Sequence, residues 1–187
     1  MPELPPPPDS HGHPAWLRPN GVIPGVAPAA LKLIRTDEVA VAISGLRAYP
    51  NGFEFTVHAR VRHEDLPCGM SPTDSIADPR TRQAPEKALR LGVLYADGRR
   101  ASTVSRYSET GEEASGEHLT FLEVGRGGTD RQWNGDFWVH PLPPSGLVTF
   151  VASWLLYGVD ETRAEMDSSA VHEAASRAVT LWPGVAG

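Results

Sequence analysis

The seven histidines are the side chains in this sequence best placed to do chemistry. His11 and His13 form an H-x-H pair that could chelate a metal weakly. They sit beside a run of prolines, so binding would also have to order the chain. His58 and His63 lie along and just past one extended segment. At about 3.3 Å per residue they are too far apart to share an ion unless the strand bends. The run from His63 to Pro67, HEDLP, begins like H-E-x-x-H but puts proline where the second histidine must stand, which excludes a zincin motif. A metal-dependent enzyme would need His63, His118 or His140 to converge with carboxylates, so no metal or other cofactor is expected.

Asp136, Trp138 and His140 alternate along one face of a strand. A carboxylate, a large aromatic and an imidazole coincide only there. Neighbours two apart on a face are separated by about 7 Å, so Asp136 and His140 should not touch directly. The face reads as a binding surface rather than an acid–base pair. The outer side of the 53–62 strand, with His58, Arg60 and Arg62, is the second candidate surface.

Nucleophile motifs are missing. Gly69-Met70-Ser71-Pro72-Thr73 lacks the second glycine of G-x-S-x-G. Gly125-Arg126-Gly127-Gly128 meets Asp130 where a dinucleotide fingerprint requires its last glycine. Cys68 is the sole cysteine and has no evident base beside it, so it reads as inert, and no intramolecular disulfide or Cys-based zinc site can form.

These residues must be positioned by a chain of 187 residues, about the length of one domain plus a tail. The 17 basic and 23 acidic residues give a net charge of −6, which argues against a general nucleic-acid binder. Arginine supplies nearly all of the basic charge; with abundant Ala, Gly, Pro and Val, that reads as codon bias of a GC-rich genome rather than anion recognition. Charge is nonetheless segregated. Seven basic and two acidic residues lie between Arg80 and Arg106, whereas Ser108–Glu123 carries five acids and no Lys or Arg. The start of the chain has no basic-then-apolar leader, and the apolar stretch from Leu147 to Val159 is too short for a membrane-spanning helix. The expectation is a cytoplasmic protein with no membrane contact.

Gly and Pro number 18 each, which favours strands joined by many turns. Residues 1–20 read as a Pro-rich disordered tail and 21–187 as a single domain. Candidate strands cover 31–35, 38–49, 53–62, 89–96, 99–106, 118–124, 137–140 and 147–157. The 53–62 strand has the cleanest alternation: Phe53, Phe55, Val57, Ala59 and Val61 inward, Glu54, Thr56, His58, Arg60 and Arg62 outward. Ser44-Gly45, where the apolar parity changes, predicts a β-bulge. Pro50-Asn51-Gly52, Asp97-Gly98 and Asn134-Gly135 predict tight turns. Gly125–Gly128 reads as a flexible loop, and residues 63–87 as a long break that could serve as a lid. Val171, Ala174, Ala175, Ala178 and Trp182 recur at helical spacing, predicting a helix over about 168–182 with Trp182 anchoring it to the sheet. The fold class is mainly β: an antiparallel β-sandwich, immunoglobulin-like or jelly-roll, with one C-terminal helix.

The segments AYPNGFEF (48–55), RLGVLYADGRR (90–100), DFWVHPLPPSGLVTFVASW (136–154) and AASRAVTLWP (174–183) resemble a family of uncharacterised actinobacterial proteins over residues 31–183. The resemblance implies a GC-rich origin and no activity, and carries over no catalytic residues. Complete strand patterning without a catalytic motif leads to one expectation: a non-enzymatic protein acting through contact with a protein partner or a second copy of itself. Its surface would be the Phe137–Trp154 hairpin together with His58, Arg60 and Arg62. The alternative is a small-ligand or carbohydrate-binding jelly-roll which, if catalytic, would work near Trp138 and His140.

Overall fold

A computed structural model describes residue 14 and residues 16–62, 87–103, 119–129 and 131–182. His11, His13, His63, Cys68, His118 and the acidic stretch 108–118 lie outside the described residues. Among the described residues twelve strands, one α-helix and a short 3-10 helix follow in order: β1 (Val22–Ile23), β2 (Gly25–Ala27), β3 (Leu31–Arg35), β4 (Val39–Tyr49), β5 (Gly52–Val61), β6 (Leu89–Tyr95), β7 (Arg100–Ser102), β8 (Thr120–Thr129), β9 (Gln132–His140), β10 (Leu147–Trp154), the 3-10 helix (Leu155–Tyr157), β11 (Val159–Asp167), α1 (Ser169–Ser176) and β12 (Val179–Thr180). Every pairing is antiparallel. One sheet runs β2-β4-β5-β9-β8, with β3 also on β4; the other runs β11-β10-β6-β7; β1 and β12 form a short ribbon.

Alternation explains the layering. The apolar set of β4, β5 and β9 faces the apolar set of β6 and β10, and both belong to one buried cluster. Phe55 joins the layers. It lies within 6 Å of Phe137 on its own sheet and meets Phe150 of the other edge-on at 5.0 Å. Such edge-to-face contacts add about 0.5–1.5 kcal/mol beyond burial. The sandwich class, the bulge and two of the three turns agree with the sequence reading. The register of β4 on β5 shifts between Ser44 and Arg47, where Gly45 takes φ +64°. Tyr49 pairs with Gly52 across one turn, and the Tyr95 amide bonds the Arg99 carbonyl across another.

Several elements differ from expectation. Asn134-Gly135 is not a turn: both residues lie inside β9, opposite His58 and Val57. The glycine is required because the Trp133 ring folds over it; a Cβ there would sit 2.2 Å from that ring. Gly125–Gly128 is paired strand, opposite Trp133–Asp136. β11 has no counterpart among the expected strands. It is an edge strand whose charged residues (Glu161, Arg163, Glu165) face solvent, which masks its alternation. The helix is shorter than 168–182, ending at Ser176. The chain then re-extends as β12 and leaves Trp182 59% exposed rather than anchored. Trp16, Leu17 and Arg18, within the expected tail, contact the sheet and the turn after β4. Among the described residues no helix is long and apolar enough to cross a membrane.

Helix α1 docks on β2 through Gly25, where a Cβ would stand 1.8 Å from the Ala174 carbonyl oxygen. Nothing but backbone can yield there, so Gly25→Ala should lower the unfolding free energy by about 1–3 kcal/mol, as overpacked sites do. Denaturant unfolding checks this; a change below about 0.5 kcal/mol, ordinary for a surface site, would contradict the docking.

Candidate functional site

The polar residues that could do chemistry gather on the outer face of the six-stranded sheet. β5 sits between β4 and β9, and its outward residues meet partners on both sides. Glu54 faces Arg47 and Trp138, Thr56 faces Ser44 and Asp136, and His58 faces Ala42 and Asn134. The rows divide into a closed end and an open end.

At the closed end Glu54 is 3% exposed. Its carboxylate receives the Arg18 guanidinium at 2.8 Å, the Arg47 guanidinium at 2.7 Å and the Tyr49 hydroxyl at 3.0 Å. A buried carboxylate needs such partners to remain in place. Burial, reinforced by the Glu54 charge, pushes the Tyr49 phenol up to about 12. The segment carrying Arg18 lies over this end. The Trp138 indole N–H donates to the Trp16 carbonyl at 2.8 Å, the Asn51 amide donates to the Leu17 carbonyl at 2.9 Å, and the Tyr49 ring meets Trp138 edge-on. Trp138 is completely buried as a result. His140 is also buried, and its Nδ1 donates to the Asn51 carbonyl at 2.7 Å. The chain itself therefore occupies the face on which Trp138 and His140 were expected to meet a ligand or partner.

At the open end, Ser44 Oγ lies 2.7 Å from His58 Nε2, and His58 Nδ1 lies 2.9 Å from Asn134 Oδ1. All three are partly exposed. Thr56 donates to Asp136 at 2.6 Å alongside them. Arg60 turns back onto the sheet, with Nη1 on the carbonyls of Ala59 and Trp133, whereas Arg62 is exposed at the strand end. Of the expected surface, His58 and Arg60 share this face with groups that motif reasoning missed. The local signal at Ser44 is that of a residue before a bulge, and the signal at Asn134 is that of half a turn.

Two further features lie elsewhere. An open groove of about 500 Å³ covers the outer face of the four-stranded sheet, lined in part by Arg90, Gly92, Arg100, Ser102, Ser153 and Arg163. Its Arg163 is paired with Glu161 at 2.6 Å. The β1–β12 ribbon carries an exposed apolar set, described below. Among the described residues, no three His, Cys, Asp or Glu side chains gather to hold a metal ion. Compared with known proteins, the chain matches no family model, no curated protein and no solved structure.

Burial lowers the His140 imidazole below its ordinary value, partly offset by its hydrogen bond to Asn51. A depressed folded-state value means that His140 contributes stability above 6.5, the unfolded value, and that this contribution is lost as pH falls through the folded one. Unfolding free energy measured against pH should therefore decline below 6.5, and His140→Asn, which keeps a donor near the Nδ1 position, should flatten that decline. An unchanged slope in the variant would contradict the assignment.

Proposed function

We propose that the protein works through protein–protein contact, and that its contact surface is the β1–β12 ribbon with Trp182. The observation that carries this reading is the exposure of Ile23 (53%), Val26 (61%), Val179 (55%), Leu181 (45%) and Trp182 (59%) in one region. Ile23 and Val179 are paired directly across the ribbon, and the Leu181 amide bonds the Gly21 carbonyl. Contiguous exposed apolar surface of this kind marks interaction sites, and tryptophan is enriched among the residues that dominate them.

Neither 21–27 nor 178–182 contains a charged residue. The exposed Arg177 guanidinium, on the Val26 carbonyl at 2.8 Å, borders the patch; a surface whose centre is apolar can face itself across a two-fold axis, so a second copy of the chain is the partner it suits best. The proposed contact surface is thus not the Phe137–Trp154 hairpin, whose Trp138 is covered, but the ribbon that joins 22–23 to 179–180. A second reading, a small polar ligand or carbohydrate, is favoured by the groove on the four-stranded sheet rather than by the surroundings of Trp138 and His140.

Sedimentation velocity over a range of concentrations tests the main reading. The expected outcome is a reversible dimer that Trp182→Ser weakens by at least about thirtyfold, as loss of a dominant interface tryptophan does. A species that stays monomeric at every concentration, or a dimer indifferent to the substitution, would overturn it.

A further inference from the structure

The geometry points to Ser44 as a nucleophile activated by His58, forming a site for acyl transfer from small activated esters on the outer face of the six-stranded sheet. The hydrogen-bond polarity carries the inference. Asn134 Oδ1 can only accept, so His58 Nδ1 must hold the proton directed at it. In the neutral ring Nε2 is then the acceptor, and the Ser44 hydroxyl donates to it at 2.7 Å. Nucleophile, base and orienting group thus stand in the order and within the hydrogen-bond reach that covalent catalysis requires.

The fold explains how a plain sheet achieves this. The bulge after Ser44, with Gly45 at φ +64°, ends the regular register of β4. Bulges re-aim side chains next to functional sites. Ser44 leans diagonally onto His58, whose direct opposite on β4 is Ala42, too small to intervene. Asp136 stands diagonally to His58 across the β5–β9 pair, a separation of about 7–8 Å.

The step balances as follows. Ser44 Oγ bonds to the acyl carbon as its proton passes to His58 Nε2. The bond from that carbon to the leaving oxygen then breaks, and the proton goes from Nε2 to that oxygen. Water, with its proton taken by His58, hydrolyses the Ser44 ester, releases the acid and restores the hydroxyl. Esters with good leaving groups, such as aryl acetates, are the class this arrangement suits, because Ser44, His58 and Asn134 are all partly exposed.

The test uses the full chain and 4-nitrophenyl acetate, with nitrophenolate release followed by absorbance and the acylated residue located by peptide mass spectrometry. The expected result is an acetyl group on Ser44, absent in Ser44→Ala. His58→Gln should slow release by about 10²-fold or more, the usual contribution of a positioned base. Asn134 is a positioning residue: Asn134→Ala should slow the reaction and Asn134→Asp, which keeps the acceptor, should restore it. Ser44→Cys should still be acylated at position 44, which separates loss of the nucleophile from loss of the fold. Acetylation confined to other residues, or equal rates in the wild type and Ser44→Ala, would overturn the proposal.

Discussion

The rest of the structure depends on one buried charge. Glu54 lies on the central strand of the six-stranded sheet, on the face that alternation assigns to solvent, yet it is 3% exposed. A carboxylate stripped of water there would be costly if unpaired. Two arginines and a tyrosine hydroxyl surround it. One of those arginines, Arg18, brings its own segment onto the sheet. Once that segment is seated, Trp138 and Asn51 both donate to its backbone and the closed end is complete. The same contact divides the sheet face: Trp138 and His140 become structural, while Ser44, His58 and Asn134 stay within reach of solvent.

Most of the fold could be read in the sequence because its signals are local. Alternation over 53–62 names the inward residues of β5, and the parity change at Ser44-Gly45 names the bulge. The misreadings share a physical origin. Asn134-Gly135 carries turn chemistry, but the glycine there accommodates the Trp133 ring, a contact that no local window reveals. The helical stripe to Trp182 continues in sequence past the point where pairing with β1 becomes more favourable than another helical turn. β11 is hidden because an edge strand can carry charge on its exposed side. The candidate site was harder still. His58 was visible as an outward histidine, but its partners Ser44 and Asn134 come from β4 and β9, and only strand register brings them together.

The molecule therefore presents three distinct surfaces. The apolar ribbon is suited to association and has no chemistry of its own. The groove on the four-stranded sheet mixes hydroxyls and arginines around Gly92. The open end of the six-stranded sheet carries the ordered Ser44–His58–Asn134 chain. Each is built on a strand or ribbon held by register rather than on a loop, so its geometry follows from the packing of the two sheets.

The most direct test of this account is a double-mutant cycle between Arg18→Ala and Glu54→Gln, read from denaturant unfolding. The buried carboxylate predicts a coupling above about 1 kcal/mol, the upper end for exposed pairs. It also predicts that either single substitution exposes Trp138 to fluorescence quenching. A coupling within about 0.3–0.5 kcal/mol of additivity, with Trp138 still shielded, would show that the segment is held without Glu54 and would contradict the account.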